Sequence, residues 1–209
     1  MAALSAPVHC PAMAQRRHHY EQAFEHYLRA RRIPYVSVNE ARKALLPEGA
    51  RLGAAWEAEP GDAIKSFDFV VYGEPENLLL DVKGRRIARR LRRGATPDGR
   101  RLPAPRGRLE SWVTQDDVDS LRRWERLFGE GFAAAFVFLY WCDEQPPDAL
   151  FQEVFEHRGR WYALRAVMLR EYEARMRPRS VRWRTLHVPA AAFESISRPF
   201  CAMAPDGRG

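Results

Sequence analysis

Two short hydrophobic segments each carry acidic side chains that could take part in metal or phosphate chemistry. The segment FDFVVY (67–72) contains Asp68, and the segment LLLDVK (78–83) ends with Asp81 and Lys83. Their apolar content and alternation predict two β-strands. Because successive side chains of a strand point to opposite faces, Asp81 and Lys83 are expected to share one face.

The turn between these strands predicts their register. The sequence Gly73-Glu74-Pro75-Glu76 is typical of a turn, and a four-residue turn at 73–76 places Asp68 opposite Asp81. Two facing carboxylates repel each other on a bare sheet, whereas a divalent cation between them would remove the repulsion. Lys83 would add an ammonium group that stabilises charge on a phosphate oxygen or orients the attacking water. The alternative is that these are solvated residues at strand ends.

Helices and strands on either side must position this hairpin. Residues 16–31 predict a helix, with an apolar stripe at Tyr20, Phe24, Tyr27 and Leu28, and residues 35–38 predict a short strand. The run FAAAFVFLYW (132–141) is apolar throughout, as expected of a central strand covered on both faces.

A second helix is predicted directly before that central strand. Thr114-x-x-Asp117 is a capping-box start, and Gly129 is expected to end the helix. The side chains expected to face inward are Val118, Leu121, Leu127 and Phe128.

The C-terminal part predicts a hairpin (151–164), a helix (169–176) and a strand (183–188). Trp183 alternates with Arg182 and Arg184, a pattern expected of a half-exposed strand. The order of helices and strands along the chain is that of a mixed α/β fold.

Composition limits the classes of function. The chain has 209 residues and a formal net charge of +7, which favours a polyanionic partner. Only three of its 34 basic residues are lysines: Lys43, Lys65 and Lys83. The longest apolar run, 132–142, is too short to span a bilayer, and the N-terminus does not resemble a secretory signal. Three scattered cysteines argue against a disulfide framework or a cysteine zinc site, so a reducing cytoplasm is expected.

The chain resembles a known superfamily in its order of elements and acidic residues. A helix with Glu21, strands carrying Asp68 and Asp81-Val82-Lys83, a helix from Thr114 and a strand from Phe132 resemble the PD-(D/E)xK nucleases. That superfamily includes restriction endonucleases and archaeal Holliday-junction resolvases, and the resemblance covers about residues 16–141. His19-Tyr20-Glu21 and Ala23-Phe24-Glu25 also resemble a bacterial family called HYExAFE.

The resemblance implies an α/β fold with a restriction-endonuclease-like αβββαβ core and a mixed central sheet, followed by C-terminal hairpin, helix and strand additions. It implies that Asp68 and Asp81 ligate Mg²⁺ or Mn²⁺ and that Lys83 assists the nucleophile. Glu21 would complete the metal shell or activate water, and Gln115 matches a polar residue that many members carry. The chain departs from the usual motif in having Phe67 before Asp68 and Asp rather than Glu at position 81.

Glu25 competes with Glu21 for the role of helix carboxylate. The two lie four residues apart, on one face of the predicted helix. Glu25 has Arg29 four residues later, in the favourable order for an ordinary helix ion pair, whereas Glu21 has Arg17 in the less favourable order. Glu21 is therefore preferred for the site.

The expected organisation is a flexible leader (1–15), a single nuclease-like domain (16–200) and a tail (201–209). Within the domain lie a core (16–141), a basic loop (84–108) and a C-terminal extension (142–200). The loop holds ten arginines, which are predicted either to contact phosphates or to form a solvated surface. The predicted phosphate contacts are Arg85, Arg86, Arg89, Arg90, Arg92 and Arg93.

The function predicted from these features is a metal-dependent nuclease that hydrolyses phosphodiester bonds, with DNA favoured by the resemblance. The expected partner is nucleic acid, and a homodimer is compatible with cutting two strands. The alternative is a non-catalytic nucleic-acid-binding or protein-interaction module on the same fold.

Overall fold

A computed structural model describes residues 11–39, 64–87, 109–143, 145 and 153–203 of the chain. These residues form a mixed α/β fold. The elements are α1 (Pro11–Ala30), β1 (Tyr35–Ser37), β2 (Phe69–Val71), β3 (Asn77–Ile87), β4 (Val113–Thr114), α2 (Gln115–Phe128), β5 (Phe132–Cys142), β6 (Val154–His157), β7 (Arg160–Met168), α3 (Leu169–Arg175), β8 (Arg177–Ser180), β9 (Thr185–His187), α4 (Ala190–Ile196) and a 3₁₀ turn (Phe200–Ala202).

The central sheet has six strands in the order β1-β2-β3-β5-β7-β6. β3 and β5 pair in parallel, and the other neighbours pair antiparallel, so the sheet is mixed. Together, α1, β1, β2, β3, α2 and β5 follow the expected αβββαβ order, which confirms the predicted fold class. β5 lies between β3 and β7 and is buried from Ala133 to Tyr140, as its apolar sequence predicts.

The register of the β2–β3 hairpin agrees with the one predicted from the turn. Phe69 pairs with Leu80, and Val71 pairs with Leu78. This ladder places Asp68, the residue directly before β2, beside the part of β3 that carries Asp81. The local turn sequence therefore predicted the alignment of the two acidic strands correctly.

Helices cover both faces of the central sheet. On one face, α1 packs through Phe24, Tyr27 and Leu28, which lie on the predicted apolar stripe. On the other face, α2, α3 and α4 pack against β3 and β5, with Val118, Tyr172 and Phe193 in the same buried cluster.

A small second sheet joins the N-terminal end of α2 to the C-terminal part of the chain. Its strand order is β4-β9-β8. Val113 of β4 pairs with Leu186, and Thr114 pairs with Thr185. Thr114 then caps α2, and its side chain and that of Asp117 form the predicted capping box.

Several predicted boundaries were wrong. α1 begins at Pro11 rather than residue 16. β3 continues to Ile87, so Gly84 to Ile87 are strand rather than loop. Residues 88–108 lie outside the described ranges. The predicted C-terminal hairpin is present as β6 and β7, and it extends the central sheet because β7 pairs with β5.

Two residues predicted to face inward from α2 are exposed instead. Leu127 is 55% exposed and Phe128 is 39% exposed. Leu127 lies about two and a half turns after Val118 and so points to the opposite side of the helix. Phe128 contacts the rings of Phe67 and Phe132 at the edge of the core.

None of the helices in the described part of the chain is long and apolar enough to cross a membrane. The cysteines Cys142 and Cys201 are both free thiols, whereas Cys10 lies outside the described residues.

A close approach between α1 and the central sheet depends on Gly84. A Cβ atom built on Gly84 would lie 2.1 Å from Cδ2 of Tyr20. Real atoms do not approach so closely, so only glycine lets the Tyr20 ring lie against β3. Glu21 is the next residue of α1. The contact between Tyr20 and Gly84 therefore helps to set the distance of Glu21 from the sheet.

We expect Gly84→Ala to lower the free energy of unfolding by about 1–3 kcal/mol, the usual cost of overpacking. Denaturant unfolding followed by circular dichroism measures the change. The same substitution should cost less in a Tyr20→Ala background, where the ring is absent. Equal costs in both backgrounds would contradict the contact.

Candidate active site

Asp68 is held at the point where β2 meets β3. Its backbone N–H donates to the carbonyl of Leu80 at 2.8 Å, and its own carbonyl accepts from Val38 N–H at 2.9 Å. Its carboxylate Oδ2 accepts from Val82 N–H at 2.7 Å. The carboxylate therefore lies against the backbone between Asp81 and Lys83.

Asp81 and Lys83 lie on the face of β3 that packs toward α2. Lys83 Nζ lies 2.7 Å from Asp81 Oδ2, and both side chains are largely buried. The two are neighbours on one face because they are two residues apart in a strand. The structure thus brings together Asp68, Asp81 and Lys83, as the sequence predicts.

Burial and neighbouring carboxylates raise the pKa of both Asp68 and Asp81. Burial raises the pKa of Asp68 well above its usual value, and the negative charges of Asp81 and Glu21 raise it further. The Val82 N–H and Lys83 act in the opposite direction without cancelling the effect. Burial also raises the pKa of Asp81 despite its contact with Lys83. Such perturbed carboxylates are typical of functional sites.

The charge of Lys83 is strongly stabilised. Burial alone would lower the pKa of Lys83, but the carboxylates of Asp81 and Asp117 outweigh burial and raise it above its usual value. Lys83 Nζ lies 3.1 Å from Asp117 Oδ1 as well as 2.7 Å from Asp81. Lys83 is therefore a protonated donor held between two carboxylates.

Sequence reasoning did not assign Asp117 and Lys65 to the site. Asp117 was predicted only as a capping residue, yet its Oδ1 accepts from both Lys83 and Lys65. The backbone of Lys65 is held against α2, where its N–H donates to Ser120 Oγ and its carbonyl accepts from Trp124 Nε1. The available signal was lysine scarcity, since two of the three lysines in the chain lie here.

Glu21 and Glu25 differ in their surroundings, although both lie on α1. Glu25 Oε1 lies 2.7 Å from an Arg29 nitrogen and accepts from the Tyr35 hydroxyl at 2.8 Å, so it is engaged away from Asp68. Glu21 accepts from Asn39 Nδ2 at 3.2 Å and lies near enough to Asp68 to raise its pKa. Of the two helix carboxylates, Glu21 is the one directed toward the acidic pair.

Gln115 lies in the first turn of α2 but does not reach Lys83 in the described structure. Its Nε2 donates to Asp119 Oδ1 at 3.0 Å along the helix. Asp117, two residues later, makes the contact with Lys83 instead. The catalytic role that the resemblance implied for Gln115 therefore gains no support from this geometry.

The arginines predicted to contact phosphate differ in their placement. Arg85 is turned inward: its guanidinium lies 3.9 Å from the Trp112 ring centre and donates to the carbonyls of Gly84 and Trp112. Arg86 is exposed on the other face, 3.0 Å from Asp143 Oδ1. This placement does not support a phosphate contact by Arg85. The remaining four, Arg89, Arg90, Arg92 and Arg93, lie outside the described residues.

The donor chemistry of the acidic pair fits a hard divalent cation. Asp68 and Asp81 offer carboxylate oxygens that are buried and repel each other, and a cation would lower the cost of that repulsion. Across the described ranges, no group of three or more His, Cys, Asp or Glu side chains is arranged to hold a metal. Mg²⁺ commonly binds through one or two carboxylates, with water and substrate phosphates as further ligands. Two carboxylates are therefore sufficient for this ion.

The site reaches the surface through a shallow crevice. Lys65, Asp81 and Asp117 contribute to its lining.

A solved structure is similar to this chain over most of its length. It is Hjc, a Holliday junction resolvase from the archaeal hyperthermophile Archaeoglobus fulgidus, with a TM-score of 0.46 and 12% sequence identity. The similarity covers 88% of this chain and 97% of that chain. No protein-family model and no curated protein matches the sequence, so the resemblance to the HYExAFE family is not confirmed.

We expect Asp117→Asn to lower the free energy of unfolding by about 1–3 kcal/mol, because Lys83 and Lys65 lose a shared charged partner. Burial would raise the pKa of Asp117, but Lys83 and Lys65 outweigh it and hold the pKa below its usual range. The stability contributed by a lowered pKa is present above the unfolded-state pKa of about 4 and is lost as the pH falls. The difference between parent and variant should therefore be larger at neutral than at acid pH. Asp119→Asn, at a half-exposed position of the same helix, is the control and should change stability by under about 0.5 kcal/mol. A difference in stability between the parent and Asp117→Asn that does not depend on pH would contradict the ion pairs.

Asp68→Asn should have the opposite effect and stabilise the metal-free protein by about 1 kcal/mol. The raised pKa of Asp68 contributes stability that is fully present below about pH 4 and is lost as the pH rises through the folded-state value. The stability advantage of the variant over the parent should therefore shrink as the pH falls. Asparagine keeps an oxygen that can accept from Val82 N–H. Thermal unfolding across this pH range tests the expectation, and a less stable variant at neutral pH would refute it.

Proposed function

We propose that this protein is a metal-dependent nuclease of the PD-(D/E)xK type that hydrolyses phosphodiester bonds. The observation that carries the proposal is the meeting of Asp68, Asp81 and Lys83 at one point of the sheet, with Lys83 Nζ 2.7 Å from Asp81 Oδ2. Two buried carboxylates with a protonated lysine beside them suit phosphoryl chemistry, in which negative charge must be stabilised.

Asp68 and Asp81 are the residues proposed to hold Mg²⁺ or Mn²⁺. When bound, such an ion lowers the pKa of water and stabilises charge on phosphate oxygens. Without it, the raised pKa of Asp68 favours the protonated form at this position. Asp68 and Asp81 would therefore both be ionised more easily with a cation bound between them, because Lys83 alone does not neutralise the two carboxylates.

Lys83 is proposed to donate to a phosphate oxygen or to the attacking water. Its raised pKa keeps it protonated, and it carries more than one N–H donor. Asp117 holds the ammonium from the side of α2, so its position is maintained when substrate competes for Asp81. Lys83 acts in this scheme as an electrostatic donor rather than as a base.

Glu21 is proposed as the additional carboxylate, either toward the cation or toward the attacking water. The negative charge of Glu21 raises the pKa of Asp68, which supports this proposal. Glu25, bound by Arg29 and Tyr35, is the residue with which Glu21 is best compared.

DNA is the proposed substrate, in keeping with the resemblance to PD-(D/E)xK nucleases and with the net charge of +7. Arg86 and the arginines of 89–93 are proposed to contact backbone phosphates near the site. Two copies of the chain would be needed to cut both strands of a duplex with one site each, and a homodimer is part of this proposal.

Cleavage of linear, branched and single-stranded DNA with Mg²⁺ or Mn²⁺ tests the proposal. Asp81→Asn and Lys83→Ala should each lower kcat/KM by about 10²–10³-fold, as expected for the loss of one group that stabilises the transition state. Glu21→Gln should also lower activity, whereas Glu25→Gln on the same helix should retain the rate of the parent. Activity that survives Asp81→Asn and Lys83→Ala would refute the site.

Thermal unfolding gives a second measurement that does not depend on turnover. A bound cation raises the melting temperature of the state that binds it. Mg²⁺ or Mn²⁺ should therefore stabilise the parent and Glu25→Gln, but not Asp68→Asn or Asp81→Asn. If the parent binds DNA in a salt-sensitive manner and cuts no substrate, the non-catalytic binding module is the correct function.

A further inference from the structure

The turn between β8 and β9 exposes two large apolar side chains. Val181 is 87% exposed and Trp183 is 69% exposed, the highest values among the large hydrophobic side chains of the described residues. The sequence pattern predicted a half-exposed strand from Trp183, but β9 begins only at Thr185, so Trp183 lies in the turn together with Val181. An aromatic ring presented to solvent in this way has one face available for a partner.

Positive charge surrounds the exposed ring. The segment 177–184 (RPRSVRWR) contains four arginines and no acidic residue. The Arg182 guanidinium lies 5.2 Å from the centre of the Trp183 ring. Within the described part of the chain, no carboxylate forms an ion pair with Arg177 or Arg182, so both charges are available to an anionic partner. This combination favours a polyanion with flat apolar groups.

The turn is held in shape by its own hydrogen bonds. Trp183 N–H donates to Ser180 Oγ at 3.3 Å, and Arg184 N–H donates to the carbonyl of Val181 at 3.2 Å. A preformed turn loses little conformational entropy when it binds a partner. The Trp183 side chain is therefore presented on an ordered support.

The same turn is attached directly to the helix that contributes to the candidate active site. The carbonyl of Arg184 accepts from Gln115 N–H at 2.8 Å, and an Arg184 guanidinium nitrogen lies 3.1 Å from Asp116 Oδ1. Asp117 is the next residue and contacts Lys83. The exposed turn and the Lys83 ammonium are thus joined through a single helical turn.

We propose that the turn at 181–184, here called the tryptophan turn, stacks Trp183 on an unpaired or unstacked base of a nucleic acid bound at the adjacent active site. Arg182 and Arg177 contact the neighbouring phosphates. This inference rests on the proposed function and specifies its substrate class, namely nucleic acid with accessible bases. Aromatic rings flanked by arginine bind single strands by stacking together with backbone charge neutralisation. Arg184 and Arg179 are paired with Asp116 and Glu110, so Arg177 and Arg182 supply the charge for this contact.

The test measures binding in the absence of divalent cations, so that cleavage plays no part. Labelled single-stranded DNA and the matching duplex are titrated with the full chain, and the change in fluorescence anisotropy is recorded. Trp183→Ala should weaken single-strand binding by about tenfold, the size expected for one lost stacking contact, and should weaken duplex binding less. Leu127→Ala, which removes another exposed apolar side chain from the far end of α2, is the control and should bind as the parent does.

Two further measurements separate stacking from charge. A strand that contains 2-aminopurine should change its fluorescence on binding the parent and should change it much less on binding Trp183→Ala. Arg182→Gln should lower the slope of log affinity against log salt by about one, while Trp183→Ala leaves that slope unchanged. Circular dichroism and thermal unfolding of each variant show that the fold is retained.

The outcomes distinguish this inference from the proposed function. If Trp183→Ala binds single-stranded DNA as tightly as the parent does, the role inferred for the tryptophan turn is refuted, even if the parent cleaves DNA. A parent that fails to bind either DNA at low salt also overturns it and leaves a protein or membrane partner as the occupant. Binding that depends on Trp183, without cleavage in Mg²⁺ or Mn²⁺, supports the tryptophan turn and refutes the nuclease.

Discussion

The protonated Lys83 side chain is buried between the sheet and α2, and the surrounding structure is arranged to satisfy its charge. An ammonium group removed from water without a partner costs several kcal/mol. Lys83 avoids this cost through Asp81 at 2.7 Å and Asp117 at 3.1 Å. Because Asp81 belongs to β3 and Asp117 to α2, the interaction ties the central sheet to the start of the helix. Any shift of one element against the other would leave a buried charge without its partner.

The same cluster contains more acidic than basic side chains. Asp68, Asp81, Asp117 and Glu21 contribute four carboxylates to the interacting group, and Lys65 and Lys83 contribute two ammonium groups. The imbalance is greatest at Asp68, whose carboxylate is buried and stabilised mainly by the Val82 N–H. A fold selected only for stability would not need this arrangement. Local rules are broken in this way at sites where a ligand supplies what the protein alone lacks.

Arginine and lysine have different roles around the site. Lysine is scarce in the chain, and Lys65 and Lys83 both occupy positions where a compact ammonium contacts Asp117. Arg85 lies further along β3, where its planar guanidinium stacks on Trp112 instead of contacting a carboxylate. Guanidinium groups suit stacking and extended contacts, whereas an ammonium is a point charge. The general excess of arginine is therefore less informative about the site than the few lysines.

Features that depend on residues close together in the chain could be predicted without the structure. The apolar stripe of α1, the buried strand β5, the 73–76 turn and hence the register of Asp68 beside Asp81 all follow from local periodicity and turn chemistry. Which distant side chains meet at the candidate site depends instead on tertiary packing. Lys65 and Asp117 are 52 residues apart along the chain. The packing of α2 and α1 on the sheet sets Asp117 rather than Gln115 against Lys83, and Glu21 rather than Glu25 near Asp68. The exposure of Trp183 could not be predicted either. Alternation of polar and apolar residues predicts a strand at this position, but pairing with β4 and β8 begins only at Thr185. Local sequence specifies periodicity and turns, but contacts across the core depend on the packing of whole elements.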